Sequence, residues 1–166
     1  MIYPCLAYSI MRSKGMFSSD DPLPLGSKKC YNTTDMKRYE LLPGGTGVHA
    51  TASTRAGLYT AALQGLFATS ESLADSDASE KIERPFKLEA ADPGELMVAL
   101  LGEAIKQAAS HGDTYDNVSF TLVTDKKAEG AYIGQRGKSP AVRGIGKNIV
   151  IEKNDLGEWD TVIKFE

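Results

Sequence analysis

Nucleophile–base chemistry needs a hydroxyl or thiol within reach of a base, and the supply of bases here is narrow. The 166-residue chain holds two histidines, His49 and His111, and two cysteines, Cys5 and Cys30. His49 falls inside a stretch that alternates like a strand. His111 falls at the end of a predicted helix, where an imidazole suits the carbonyl end of the dipole. Both are read as packing or capping residues. A cysteine–histidine pair would have to draw on Cys5 or Cys30, and both lie in a segment without periodic pattern. Gly134-Gln135-Arg136-Gly137-Lys138-Ser139 has the close of a phosphate-binding loop. That pattern needs a glycine where Tyr132 stands, and a helix where Pro140 and a predicted strand follow. What remains is a basic loop of Arg136, Lys138 and Arg143, a solvated stretch or a contact for an anion or acidic partner. Acidic residues are numerous but scattered, and no run resembles an EF-hand. The residues alone therefore assign no catalytic and no cofactor-binding position, and no enzyme activity is expected.

The elements that would position such side chains are easier to read. Gly144–Lys153 and Glu158–Phe165 both alternate, the second with Trp159, Thr161, Ile163 and Phe165 on one side and Glu158, Asp160 and Lys164 on the other. Asn154-Asp155-Leu156-Gly157 between them carries turn residues, which predicts a closing β-hairpin. Upstream, Arg38–Leu42 and Thr46–Thr51 are strand candidates around Pro43-Gly44-Gly45. Thr54 is placed to cap a helix running to about Ser70, with Leu58, Ala62 and Leu66 on its apolar stripe. Ser70–Glu80 reads as a solvated loop and Arg84–Ala91 as a strand.

Asp92-Pro93-Gly94-Glu95 is the clearest local signal. It offers a capping carboxylate, a proline at the first helical position and a glutamate at capping-box spacing. The helix it opens turns Leu96, Met97, Leu100, Leu101, Ala104, Ile105 and Ala108 inward and ends at His111-Gly112. Asn117–Thr124 is a strand, Glu129–Ile133 a weaker one, and Gly134–Pro140 a loop. Helices and strands do not alternate regularly, so the pattern predicts an α+β fold with an antiparallel or mixed sheet and two main helices.

Composition supports one globular domain: 42% hydrophobic and 25% charged residues, with a net charge of −3 and a pI near 5.5. A broad nucleic-acid surface is usually basic, so direct nucleic-acid binding is not expected. No apolar run reaches the length of a membrane span, and no membrane association is expected. Ile2–Met11 is apolar but short and lacks a preceding basic region, so it is not read as a secretory signal. Two thiols make no disulfide framework and fit a reducing, cytoplasmic location. Residues 1–35 mix prolines with Ser18-Ser19-Asp20-Asp21 and read as an irregular N-terminal extension. Met36 is read as the start of the folded domain, 36–166, and as a candidate start of the natural protein.

From Met36 to Glu166 the sequence resembles the archease family. Four segments carry the resemblance: Lys37-Arg38-Tyr39-Glu40-Leu41-Leu42 as the opening strand; Leu58 to Phe67, LYTAALQGLF, as the first helix; Ala91-Asp92 through Leu96-Met97-Val98 to Glu103 as the second helix; and Val142 to Asn148 with Trp159 as the late strand and terminal hairpin. The resemblance implies a strand–helix–strand–strand type of unit with an inserted second unit. It implies an accessory role: assisting a GTP-dependent RNA ligase in tRNA splicing and RNA repair by promoting its guanylylation and turnover. It also implies a divalent metal site at the tip, held by an aspartate after the first strand and an aspartate at the chain end.

The sequence departs from that pattern where the metal would sit. Alignment without gaps places Gly45 on the first aspartate and Glu166 on the last. The threonine and histidine of the late motif become Gly146 and Asn148. Glu166 is thus the one metal-ligand candidate, and calcium, magnesium or manganese is expected to bind no more tightly than about millimolar, since charge count tunes affinity. The alternative reading is a binding module of the same fold, for a small ligand or a protein partner, with no role in RNA ligation.

Overall fold

The computed structural model describes residues 36–68, 80–137, 140 and 142–166, all within the unit Thr34–Glu166. The extension read at 1–35, with both cysteines, lies outside the described residues, as does Lys138. The elements in chain order are β1 (Lys37–Leu41), a 3-10 turn (Pro43–Gly45), β2 (Gly47–Ala52), α1 (Arg55–Ala68), β3 (Lys81–Glu89), α2 (Pro93–His111), β4 (Asp113–Val123), β5 (Lys127–Arg136), β6 (Glu152–Lys153) and β7 (Trp159–Lys164). They form two antiparallel sheets, one in the order β1-β2-β7-β6 and one in the order β3-β5-β4. β3, α2, β4 and β5 are contiguous and complete the second sheet by themselves. The stretch Lys81–Arg136 is therefore an insertion between the halves of the first sheet. The expected α+β class, with two helices and antiparallel sheets, holds.

α1 begins where Thr54 Oγ1 accepts the Gly57 N–H at 3.0 Å. The sequence suggested one apolar stripe, but ten of the helix's residues are buried, including the unbroken run Gly57–Leu63. The reason is its position: α1 packs on β1, β2 and β7 of the first sheet and on β4 of the second. A helix buried all round needs apolar or small residues on every side, which LYTAALQGLF supplies. α2 has a single buried face, Leu96, Met97, Leu100, Leu101, Ala104 and Ala108, and lies on β3, β4 and β5.

From Phe67 of α1 a chain of rings runs across the second sheet. Phe67 meets Tyr115 edge-on with centroids 5.4 Å apart, Tyr115 stacks on Tyr132 at 5.2 Å, Tyr132 meets Phe86 at 4.5 Å, and Phe86 meets Phe120 at 5.9 Å. Arg55 ties the two sheets together at one end. Its guanidinium lies 4.5 Å from the centroid of Trp159 on β7 and pairs with Asp125 in the β4–β5 turn.

Two expectations are corrected. Of the hairpin arm expected over Gly144–Lys153, only Glu152–Lys153 joins the β7 ladder, with an isolated bridge from Ile145 to Phe165. Seven positions separate Ile145 from Glu152 but only five separate Asp160 from Phe165, so the arm must loop out. It does so at Asn148, whose φ is 66°, and the fold is held there by Thr161 Oγ1 donating to the Val150 carbonyl at 2.8 Å. The second correction is β5. Expected as a weak strand over Glu129–Ile133 followed by a loop from Gly134, it spans Lys127–Arg136 and is the centre of its sheet. The glycines that weakened the pattern serve the pairing. β4 bulges between Tyr115 and Asn117 and between Phe120 and Leu122, opposite Gly134 and Gly130. A Cβ at Gly134 would meet the Thr114 carbonyl oxygen at 1.8 Å; only a residue without one lets the bulged backbone come across.

Candidate functional site

The two positions that the resemblance singled out for a metal, Gly45 and Glu166, fall at one end of the first sheet. β1 turns into β2 through Pro43–Gly45, where Gly44 and Gly45 take φ values of 72° and 68°. Thr46 Oγ1 donates to the Pro43 carbonyl at 3.1 Å and steadies the turn. β7 runs back to it: the Phe165 N–H donates to the Thr46 carbonyl at 2.9 Å. The Glu166 N–H then donates to the Gly144 carbonyl at 3.0 Å, and the Glu166 carbonyl accepts the N–H groups of Arg143 and Gly144 at 3.2 Å each. Gly45, Arg143 and Glu166, remote in sequence, thus lie at the same exposed end of the first sheet. Gly45 offers no side-chain oxygen and Glu166 offers one carboxylate. Among the described residues no three His, Cys, Asp or Glu side chains converge. A hard cation takes six or more oxygens, and this donor set does not fit one.

A second polar group lies on the face of the first sheet turned away from α1. Strand parity puts Val48, Ala50 and Ala52 inward and His49 and Thr51 outward. The register sets Val162 and Asp160 of β7 against His49 and Thr51, and Glu40 and Arg38 of β1 against the same two residues. His49 Nε2 stands 2.8 Å from Asp160 Oδ2, and Thr51 Oγ1 donates to the same oxygen at 3.4 Å. Arg38 Nη2 donates to Glu158 Oε2 at 2.7 Å, where Asn154 Nδ2 donates as well, at 3.3 Å. The hydroxyl in this group bonds the carboxylate and not the imidazole, so the constellation is a partly buried network of ion pairs and hydrogen bonds and not a nucleophile–base pair. Reading His49 as a packing residue missed its partner. The one available signal was parity, since His49 and Asp160 both sit on the polar side of their strands.

His111 is exposed at the last turn of α2. Arg136 ends β5 in the second sheet, whereas Arg143 lies at the tip, so the basic residues are divided between two sheets. The sequence reading also missed an ion pair with one buried partner. Asp113 is fully buried and accepts from Arg84 Nε at 2.8 Å and from the Tyr115 hydroxyl at 3.4 Å. Its other oxygen has no partner among the described residues. Burial, with Asp113 adding to it, pushes the Tyr115 phenol up to about 12.

With the geometry in place, comparison with solved structures identifies the architecture. The fold matches that of Methanobacterium thermoautotrophicum protein 1598. The solution structure of that structural-genomics target aligns with a TM-score of 0.52 at 13% identity, over 78% of this chain and 98% of that one. At such identity the likeness is one of fold alone. No family model matches the chain, and no curated protein matches it. Among the described residues no helix is long and apolar enough to cross a membrane.

Proposed function

We propose that this chain is an accessory factor of the archease kind, acting in the cytoplasm on a GTP-dependent RNA ligase in tRNA splicing and RNA repair, and not itself an enzyme. The observation that carries this reading is the tip. The turn holding Gly45 and the residue Glu166 are brought together by the Thr46–Phe165 hydrogen bond. That is the juxtaposition the archease resemblance requires of its two aspartate positions. The inserted β3-α2-β4-β5 unit and the fold shared with protein 1598 support the same reading. On this view the protein works by contact. Its tip and outer face present Glu166, Arg143 and Lys164 to the ligase, with little help from a metal.

The test is ligase guanylylation with labelled GTP, with and without this protein, at low magnesium. Faster formation of the ligase–guanylate and multiple turnovers of RNA joining are expected. No stimulation, and no co-elution with the ligase, would overturn the proposal. The single carboxylate at the tip favours one rival, a binding module of the same fold that has left RNA ligation. That rival predicts no effect in this assay.

A further inference from the structure

β1 is the outermost strand of the first sheet, and all five of its residues are exposed. The Leu42 N–H donates to the Gly47 carbonyl and the Ser53 N–H to the Met36 carbonyl, each at 2.9 Å. These bonds fix the alternation: Met36, Arg38, Glu40 and Leu42 turn their main-chain groups to β2. The N–H and C=O groups of Lys37, Tyr39 and Leu41 point the other way, along an edge that no described strand covers. Among the described residues seven large hydrophobic side chains are exposed, and three of them, Met36, Tyr39 and Leu41, lie here at 40–46% exposure.

Edge strands are commonly defended by charge. On β1 the charges are placed so that the strand complements itself. Laid antiparallel on a second copy about Tyr39, Lys37-Arg38-Tyr39-Glu40-Leu41 sets Arg38 of each copy against Glu40 of the other. We propose that a second copy of this chain adds to the first sheet through β1, antiparallel about Tyr39, so that the sheet runs on into its mate across a two-fold axis. Backbone and side chains select this register together. Lys37 with Leu41, and Tyr39 with Tyr39, become the pairs that exchange main-chain hydrogen bonds, about six in all. Arg38 and Glu40 fall on the intervening pairs, where facing side chains stand closest. Sliding to either neighbouring register sets Arg38 against Arg38 or Glu40 against Glu40, which like charges oppose. Arg38 already gives Nη2 to Glu158, but a guanidinium carries five donors, and the rest can take the Glu40 of the other copy. Glu40 itself is exposed.

A five-residue seam buries well under the roughly 1,200 Å² of a standard interface, so the dimer forms reversibly and depends on concentration. Sedimentation velocity of the full chain, from low micromolar to near-millimolar concentration, should show the weight-average mass rising from monomer toward dimer. Glu40→Lys should weaken association at least about tenfold. Leu41→Glu, which places an acid opposite Lys37 of the other copy, should tighten it, whereas Leu41→Lys should loosen it. Both Leu41 variants remove the same apolar surface, so unspecific association of an apolar patch would weaken in both. Glu40 and Leu41 are exposed, and unchanged thermal melts confirm that the variants fold. The proposal is overturned by a monomer at every concentration, by a dimer indifferent to Glu40→Lys, or by the two Leu41 variants moving in the same direction.

Discussion

Asp92 Oδ1 accepts the Glu95 N–H at 2.8 Å, and Glu95 Oε2 accepts the Ala91 N–H at 3.2 Å. The pair satisfies amides that the start of α2 would leave without partners. Asp92→Ala should therefore cost about 1 kcal/mol, read from the urea midpoint; an unchanged midpoint would mean that the helix start is held by other contacts. At the tip, the decisive residue is one that lacks a side chain. The wild type should bind calcium, magnesium or manganese no more tightly than about millimolar in isothermal titration. Gly45→Asp should gain affinity, because it adds a second carboxylate at the end of the sheet that carries Glu166. Its φ of 68° is one that aspartate tolerates better than most residues. Micromolar binding in the wild type that vanishes in Glu166→Ala would refute the single-carboxylate reading.

At the scale of elements, α1 is constrained most tightly where it crosses β2. A Cβ at Gly65 would sit 2.3 Å from Val48 Cγ2 and 3.1 Å from Val48 Cβ. Alanine would gain about 1 kcal/mol of helix propensity, but Val48 is stiff at χ1 and its strand is held on both sides. Overpacking typically costs about 1–3 kcal/mol and should win. Gly65→Ala is thus expected to lower the thermal midpoint, and adding Val48→Ala should recover part of the loss. Stabilisation by Gly65→Ala alone would show that α1 can shift away from the sheet.

Across the whole molecule, the buried phenols make stability sensitive to alkali. Burial pushes Tyr59 up to about 12 from its ordinary value of 10. Tyr115 is raised to about 12 by the same cause. Tyr132, donating to the Leu100 carbonyl at 2.6 Å, is raised further still, chiefly by burial. In the unfolded chain these groups ionise near pH 10. Above that pH the unfolded state releases protons that the native state keeps, so stability is full below about pH 10 and is lost as pH rises toward 12. The urea midpoint should hold steady from neutrality to about pH 9 and then fall steeply. The tyrosinate absorbance of Tyr59, Tyr115 and Tyr132, isolated by difference against single Tyr→Phe variants, should appear together with unfolding; its appearance in the folded protein near pH 10 would show that these three rings are reached by water.

What could be read from the sequence is what neighbouring residues decide among themselves. The cap at Asp92, the stop at Gly112, the turn at Asn154–Gly157 and the inward side of β7 each depend on local hydrogen bonds or on strand parity, and each was legible. So was the order of elements, and with it the α+β class. The tertiary structure decided whatever depends on who lies opposite. α1 reads as amphipathic until two sheets enclose it. β5 reads as weak until the bulges of β4 explain Gly130 and Gly134. The arm before Glu152 alternates like a strand yet loops out, because two residues too many stand against β7. The site divides in the same way. Gly45 and Glu166 could be named from the resemblance, but only the Thr46–Phe165 bond brings them to one tip. His49 and Asp160 lie on strands far apart in the chain, and no spacing rule relates them. Their contact is a property of register, and register is set by the packing of the whole sheet on α1.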